Sequence, residues 1–315
     1  MSEAPRVYVV VLNFNGAAHL AACLTSLLET EYANYRIVVV DNNSLDGSWQ
    51  VADQHGDRMT LIRNRSNLGW SGGNNVGIRH CLDAGARYIV LANNDIKVHR
   101  AWIREAVAAA EAVPQVGVVG FDVHEAPDAT AAEAAFEAAC RAWRPAPAVP
   151  VANVGGMAMF VRATLFRELG LIDESFWAYG DENDFLRRAT LAGYTAAMVN
   201  VPIWHFGGGS FGRSSLRAAL LQTENNIQLL LKYSSAWGVM RAGVRHIWRR
   251  WLPRRRPRPA TAVEQRLRGQ SFLVNAALLP IAIMRVAVKL PRIIRSRRAA
   301  YRTTSAVRLR RSRGL

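Results

Sequence analysis

Cysteine is scarce in this sequence. The 315 residues contain three cysteines, Cys23, Cys81 and Cys140, and no two of them are spaced as C-x-x-C. Disulfide-stabilised domains and structural zinc sites need more cysteines than this, or cysteines in close pairs. The sequence therefore argues against both, and it is typical of a protein that folds in a reducing compartment.

Long apolar runs and targeting segments are also lacking. Residues 1–6 lead directly into an apolar strand pattern, which predicts that no signal peptide is present. Residues 272–284 form an uncharged stretch of 13 residues that contains Pro280. Because a membrane-spanning helix needs about 20 apolar residues, this stretch favours a helix in the membrane interface, or a hairpin that dips into it.

A dinucleotide-binding glycine pattern is missing as well. A Rossmann site would show G-x-G-x-x-G after the first strand, but the residues that follow the run 7–12 are Asn13, Phe14, Asn15 and Gly16. This disfavours NAD and leaves other nucleotides open. Asp41, at the end of the second apolar run, has a carboxylate that can accept hydrogen bonds from a ribose or a base.

The positive charge of the chain is concentrated at its C-terminus. Residues 241–315 hold 21 of the 40 Lys and Arg residues and one acidic residue, Glu264, for a net charge of +20, whereas residues 1–240 carry −4. A basic tail of this kind binds either nucleic acid or an anionic membrane surface. Trp248 and Trp251 lie among the arginines, which favours a membrane interface, and no nucleic-acid-binding module accompanies the charge.

Strand and helix patterns alternate over the first two-thirds of the chain. Apolar, strand-like runs occupy residues 7–12, 36–40, 60–63, 88–92, 116–120, 154–162 and 199–205. Helical patterns occupy residues 20–28, 100–112, 128–142, 163–169 and 183–192, and a further amphipathic pattern occupies 216–233. Residues 67–77, rich in glycine and asparagine, predict a loop that leads into a helix ending near Gly85. The alternation predicts an α/β fold with a mostly parallel sheet flanked by helices.

One strand end stands out as a candidate site. The apolar run Tyr88–Ala92 ends abruptly in Asn93, Asn94 and Asp95. In open α/β sheets, ligands bind beyond the carboxyl ends of the strands, where Asp95 would meet a metal ion or a phosphate group. By themselves, however, these three residues are equally typical of a polar turn.

Several ordered segments together resemble the family 2 glycosyltransferases, in particular the rhamnosyltransferase-like branch. The resemblance covers residues 6–212. It rests on VVLNFNG (10–16), VVDNNSLDGS (39–48), NLGWSGGNNVGI (67–78), LANND (91–95), VGGMAMFVR (154–162), DESFWAYGDENDF (173–185) and WHFGGGS (204–210). Each segment is a weak signal alone, whereas seven in this order are specific.

The resemblance implies a GT-A fold, a nucleoside-diphosphate sugar donor, a divalent metal ion and an acceptor hydroxyl group. Asp95 matches the last acid of the D-x-D metal motif, and Asn93 replaces the first. His205 matches a histidine that completes the metal site in some members, and an imidazole ligand would favour Mn²⁺ over Mg²⁺. The implied nucleotide-sugar-binding residues are Asn13, Asn15, Asp41, Asn43, Asn67, Gly69, Asn74 and Asn94.

The acidic segment 181–184 matches the family's E-D-x-D block. The second acid of that block is the general base, which corresponds here to Glu182 in place of the usual aspartate, and Asp181 is the alternative. A single carboxylate on the face opposite the leaving diphosphate suits an inverting reaction. Without the resemblance, the acids would be explained by their favourable interaction with a helix N-terminus.

The sequence indicates the acceptor-binding residues less clearly. Gly155 and Gly156 lie in a strand-like run and permit close approach of the backbone to a ligand. Trp177 and Tyr179 can stack on sugar rings or belong to the core, and the sequence does not decide between these roles.

Together these features predict a GT-A glycosyltransferase domain over residues 1–215 and a basic, helical, membrane-associating region over residues 216–315. The expected reaction is inverting transfer of a sugar, with dTDP-rhamnose as the family-weighted donor, to a glycan or lipid-linked glycan in cell-envelope polysaccharide synthesis. The expected location is the cytoplasmic face of the membrane, with no nucleic acid as partner. A nucleotidyltransferase and a non-catalytic glycan- or membrane-binding module remain as alternatives.

Overall fold

The structure is a computed structural model, and it describes residues 4–54, 59–125, 129–207, 215–235, 237, 238, 241 and 272–312. The predicted arginine- and tryptophan-rich segment lies almost entirely in residues 242–271, outside the described residues.

Strands and helices alternate as predicted over most of the chain. The strands are β1 Val7–Asn13, β2 Tyr35–Asp41, β3 Met59–Arg63, β4 Tyr88–Asn93, β5 Ile96–Val98, β6 Val116–His124, β7 Val149–Val151, β8 Ala158–Arg162 and β9 Thr195–His205. The helices are α1 Leu20–Leu28, α2 Gln50–Asp53, α3 Gly69–Asp83, α4 Trp102–Ala112, α5 Ala129–Ala142, α6 Ala163–Leu169, α7 Asp181–Leu191, α8 Leu216–Tyr233 and α9 Phe272–Ser312.

The strands form a single mixed sheet in the order β3-β2-β1-β4-β8-β6-β9-β5, with β7 paired to β9. Strands β3, β2, β1 and β4 are parallel, as predicted, whereas β8 runs antiparallel to both β4 and β6. The parallel half places the ends of β1, β2 and β4 at one edge, with Asn13 opposite Asp41 in the register. The predicted site residues at the ends of these three strands therefore lie at a common edge of the sheet.

The sheet is buried on both faces, which explains the continuous apolar runs. Val7, Val9 and Val11 of β1 belong to one hydrophobic cluster, which also includes residues of α1 and α4. The alternate residues Tyr8 and Val10 belong to the cluster on the other face, which also includes residues of α3, α6 and α7.

The glycine-rich segment predicted as a loop is mostly helical. Residues from Gly69 onward form α3, and the prediction of a loop over residues 67–77 is wrong for them. The reason is close packing on the sheet: a Cβ atom on Gly73 would lie 2.4 Å from Leu12 Cδ1, and one on Gly77 would lie 2.4 Å from Val10 Cγ1. The glycines, which indicated a loop in the sequence, allow the helix backbone to approach β1.

The chain divides into two compact units, residues 1–210 with 303–315, and residues 211–302. The first boundary lies five residues before the predicted one at 215. The return of the C-terminal segment to the first unit was not predicted, and its Val307 is buried in that unit's core.

The C-terminal apolar stretch belongs to one continuous helix. Pro280 and Pro291 both lie inside α9, and the hairpin considered from the sequence is not observed. Within the described part of the chain, no helix is both long and apolar enough to cross a membrane.

Candidate active site

Asn13 is the centre of a buried polar network at the ends of β1, β2 and β4. Its Nδ2 atom donates to Asp41 Oδ1 at 3.0 Å and to Ser48 Oγ at 2.8 Å, and its Oδ1 atom accepts from Asn94 Nδ2 at 2.8 Å. Asn13 and Asp41 are fully buried. Both predicted nucleotide-binding residues therefore hold the strand ends together, and they can affect a ligand only through their neighbours or after a local rearrangement.

Asn42 organises the segment that leads into α3. Its Nδ2 atom donates to Asn67 Oδ1 at 2.9 Å and to the carbonyl of Gly69 at 3.0 Å, and its Oδ1 atom accepts from the backbone N–H of Leu68 at 3.1 Å. The predicted residues Asn67 and Gly69 are thus fixed to the end of β2. Asn42 was not predicted as a site residue, although its position directly after Asp41 was a usable signal.

Three further predicted nucleotide-binding residues differ in accessibility. Asn15 and Asn43 are exposed and have positive φ angles of 49° and 67°, as asparagine tolerates in turns. Asn74 is buried; its Nδ2 atom donates to the carbonyl of Trp70, and its Oδ1 atom has no hydrogen-bond partner in the structure. Asn15 and Asn43 are therefore the exposed members of the predicted set, and Asn67 is partly exposed.

Asp95 and His205 lie together, as the sequence predicted. His205 Nε2 is 3.3 Å from Asp95 Oδ1, and His205 Nδ1 is 3.5 Å from Glu125 Oε2. Glu125 immediately follows β6 and packs against Gly207, where a Cβ atom would lie 2.3 Å from its Oε1 atom. Glu125 was missed in the sequence because the predicted strand ended at residue 120.

The two carboxylates change the protonation of the histidine. Burial alone would lower the pKa of His205, but hydrogen bonds and charges from Asp95 and Glu125 outweigh it and raise the pKa to about 9. In the absence of a metal ion, the imidazolium form of His205 is thus favoured at neutral pH, and each of its ring nitrogens faces one carboxylate.

This arrangement fits a divalent metal ion. Imidazoles that bind metals commonly present their second ring nitrogen to a carboxylate, as His205 presents Nδ1 to Glu125. No cluster of three or more His, Cys, Asp or Glu side chains able to hold a metal ion is found within the described residues. Asp95 and His205 would therefore need oxygen atoms from a bound diphosphate or from water to complete the coordination.

Trp70 connects the Asp95–His205 pair to the acidic segment. Its Nε1 atom donates to Asn93 Oδ1 at 3.1 Å, and Asn93 Nδ2 lies 3.4 Å from His205 Nε2. A Cβ atom on Gly156 would lie 3.6 Å from both Trp70 Cζ2 and Glu182 Cβ. An amide at position 93 can both accept from Trp70 and donate, which the aspartate usual in the D-x-D motif cannot do when ionised.

The two acids at the start of α7 lie in different environments. Asp181 is buried and accepts a hydrogen bond from Ser71 Oγ at 2.8 Å. Burial, and then the neighbouring charge of Glu182, raise the pKa of Asp181 well above its usual value. Glu182 is partly exposed and accepts from the backbone N–H of Gly180 and from Asn183 Nδ2. The geometry favours Glu182 over Asp181 as a proton acceptor.

The raised pKa of Asp181 predicts a pH-dependent effect on stability. Folding favours its protonated form, so its contribution to stability is full below the unfolded pKa of about 3.9 and is lost as pH rises through the higher folded pKa. The Asp181→Asn variant, which mimics the neutral acid, should therefore gain in melting temperature relative to wild type between pH 5 and 8. Asp53→Asn, an exposed site with the same exchange, is the control; an equal response in both variants would contradict the burial argument.

The predicted acceptor-binding residues differ in their exposure and in their contacts with this region. The ring of Trp177 packs against Gly69, where a Cβ atom would lie 2.7 Å from Trp177 Cδ1, and the Trp177 carbonyl accepts from the backbone N–H of Ser71. Trp177 and Tyr179 have φ angles of 63° and 69°. Gly156 faces Glu182, whereas Gly155 is exposed and lies against Met157. Trp177 thus has a clear structural role, and Gly156 lies against the candidate base, Glu182.

Comparisons with known proteins relate the chain to glycosyltransferases. Residues 8–138 match the family model "Glycosyl transferase family 2". The chain is 30% identical over 162 residues to the low-salt glycan biosynthesis hexosyltransferase Agl10 of Haloferax volcanii, a match that covers 48% of this chain and 52% of the relative. The chain thus spans about half the length of that relative.

A longer alignment relates the chain to the N-acetylglucosaminyl-diphospho-decaprenol L-rhamnosyltransferase of Mycobacterium tuberculosis. The two are 24% identical over 262 residues, which covers 73% of this chain and 85% of the relative.

The fold also matches solved structures. The mannosyltransferase PcManGT of Pyrobaculum calidifontis, solved in complex with GDP-Man and Mn²⁺, superposes with a TM-score of 0.53 at 18% identity, covering 98% of this chain and 88% of that one. Residues 8–138 thus belong to a family 2 glycosyltransferase domain, and the chain has the GT-A fold.

Proposed function

We propose that the protein transfers a sugar from a nucleoside diphosphate to an acceptor hydroxyl group with inversion at the anomeric carbon. The proposal rests on a series of contacts. Glu182 and Trp70 both lie against Gly156, Trp70 donates a hydrogen bond to Asn93, and Asn93 lies close to His205. A partly exposed carboxylate therefore lies in the same cluster as a histidine and an acid of the kind that bind metal ions.

The donor would lie along the ends of β1, β2 and β4. Asn15 and Asn43 are exposed there and can contact the base or ribose, while the network of Asn13, Asp41 and Asn94 holds these turns in place. The backbone around Asn67 and Gly69, fixed by Asn42, forms a second edge for the nucleotide.

Asp95 and His205 would hold Mn²⁺ or Mg²⁺ together with the donor diphosphate. The metal ion, when bound, supplies positive charge that stabilises the leaving diphosphate. Asp95 and Asn94 are consecutive, so the metal residues adjoin the nucleotide-binding network.

Glu182 would act as the general base. Its carboxylate takes the proton of the acceptor hydroxyl group as the hydroxyl oxygen forms its bond to the anomeric carbon and the bond between that carbon and the diphosphate oxygen breaks. Burial, and then the charge of Glu182, raise the pKa of Asp181 well above its usual value, which favours its neutral form and lessens charge repulsion with the base.

The donor and acceptor classes are supported by sequence likeness. The relatives' names include a hexosyltransferase of glycan biosynthesis and a rhamnosyltransferase that acts on a decaprenol-linked sugar. We take dTDP-rhamnose as the first donor to test, and a glycan or lipid-linked glycan of cell-envelope polysaccharide synthesis as the acceptor.

The basic C-terminal region supports a membrane-associated location. Its net charge of +20 over residues 241–315 suits an anionic lipid surface, and a lipid-linked acceptor would be met there. The protein would then be peripheral, on the inner face of the cell membrane.

Donor hydrolysis separates this proposal from the alternatives. With Mn²⁺ present, the enzyme should release nucleoside diphosphate from nucleotide sugars, and EDTA should abolish the release. A non-catalytic module would release none under either condition, and a nucleotidyltransferase would release a sugar phosphate instead of a free sugar.

The metal site gives a further prediction for Glu125. Replacing Glu125 with Gln removes the charge that orients His205, and Mn²⁺ affinity in the presence of nucleoside diphosphate should fall by about 10–100-fold. Electron paramagnetic resonance of free Mn²⁺ measures this without turnover. Glu133→Gln is the matched control, because Glu133 pairs with Lys97 instead; equal losses in the two variants would remove Glu125 from the site.

A further inference from the structure

Helix α9 carries many of its large apolar side chains on the outside. In a helix packed in water, apolar residues face the core and charged residues face the solvent. Between residues 281 and 294 of α9, six large apolar residues, a group we call the outer arc, are 40–84% exposed: Ile281, Ile283, Met284, Val288, Leu290 and Ile294. At 3.6 residues per turn they cover about half of the helix circumference.

Two charged residues of the same segment, Arg285 and Lys289, contact α8. Glu224 of α8 is fully buried and pairs with Arg285, at 3.0 Å between Arg285 Nε and Glu224 Oε2, and with Lys289. Arg297 Nη1 donates to the carbonyl of Ser234 at 2.9 Å, at the C-terminal end of α8. These ion pairs join α9 to α8, the apolar residues Ala282, Val286 and Ile293 of α9 are buried, and the outer arc remains exposed.

Basic residues follow the outer arc on the same side of the helix. Arg295, Arg298 and Arg302 are exposed and lie within the helical sector that the arc occupies. Residues 272–312 contain ten basic residues and no acidic one. A surface that is apolar along one part and cationic along the next matches the acyl boundary and the anionic headgroups of a bilayer.

We propose that the outer arc of α9 inserts into the interface of an anionic membrane, with α9 lying along the surface. This deepens the membrane partner proposed above by naming the contact surface, and it decides between the interfacial helix and the hairpin in favour of the helix. Insertion removes from water the apolar surface of the outer arc, which no side chain of α8 covers.

Vesicle binding tests the proposal on the full-length protein. Flotation with phosphatidylcholine vesicles containing phosphatidylglycerol should carry the wild type, and pure phosphatidylcholine should carry much less. Met284→Gln together with Val288→Gln should weaken binding at least tenfold. Both positions are more than 60% exposed, so the fold should be kept.

Val149→Gln is the matched control. Val149 is 55% exposed on β7, outside the arc, so this variant should bind vesicles like the wild type. Unchanged flotation of the arc variant would overturn the proposal. So would a wild-type dimer that the arc variant dissociates without lipid, because the arc would then be covered by a second copy.

These assays test the proposed transfer reaction and the proposed membrane contact independently. Flotation needs no donor or acceptor, so it does not depend on the transfer reaction. Donor hydrolysis by the arc variant should remain at the wild-type level, which shows that the candidate active site is intact.

A truncation is a poor substitute for these exchanges. Removing residues 241–315 would also remove Thr304 and Val307, which are buried in the first unit, and would disturb its core.

Discussion

Replacing Glu182 with Gln is expected to lower the rate of sugar transfer by about 10²–10⁴-fold, the usual contribution of a general base. The exchange keeps the size of the side chain and can keep the hydrogen bond from the Gly180 N–H group, while it removes the negative charge and the acceptor that Asn183 uses. Donor affinity should therefore change little. Single-turnover transfer and calorimetric donor titration together separate the two effects.

Asp181→Asn is the partner experiment. Since burial already favours the neutral form of Asp181, an isosteric amide should keep the hydrogen bond from Ser71 and most of the activity. A large loss in Asp181→Asn with near-normal transfer by Glu182→Gln would reverse the assignment of the base.

Replacing Asp95 with Asn is expected to lower Mn²⁺-dependent transfer by at least about 10²-fold. The variant removes the only charged oxygen ligand that we assign to the metal ion, and the loss of one stabilising group at a developing charge is worth about that much. It also removes the charge beside His205. Transfer assayed across a Mn²⁺ titration shows whether high metal concentration restores the rate.

Asp46→Asn serves as the control for this exchange. Asp46 accepts from the backbone N–H groups of Ala17 and Ser48 in an exposed turn and has no assigned role in the reaction. If Asp95→Asn transferred sugar with undiminished metal dependence, Asp95 would not be a ligand.

Much of the fold was predictable because its core elements have strong local signals. Helices α5, α6 and α8 agree with their predicted bounds to within a residue, and each has helical composition along its whole length. The antiparallel course of β8 could not be read from residues 154–162, because burial on both faces gives the same apolar run in either direction.

The candidate site was predictable where a polar residue follows an apolar strand. Asp95 was singled out in this way, whereas its pairing with His205 came from the family resemblance; His205 Nε2 lies 3.3 Å from Asp95 Oδ1. Glu125, Trp70 and Ser71 carried no such signal. Trp70 and Ser71 lie in the glycine-rich start of α3, and their contacts depend on how closely that helix packs on β1.

Asn13 and Asp41 illustrate the converse case. Their positions at strand ends suggested direct contact with a nucleotide, but the structure buries both of them in one hydrogen-bond network. Burial depends on the surrounding turns, and a pattern along one strand does not contain that information.

Calorimetric titration of the full-length protein with a panel of nucleoside diphosphates, with Mn²⁺ and with EDTA, is the sharpest test of metal-dependent donor binding. We expect at least one nucleoside diphosphate to bind in Mn²⁺, and we expect EDTA or the Asp95→Asn exchange to weaken this binding at least tenfold. Absence of binding by every member of the panel, or equal affinity with and without the metal ion, would contradict this expectation.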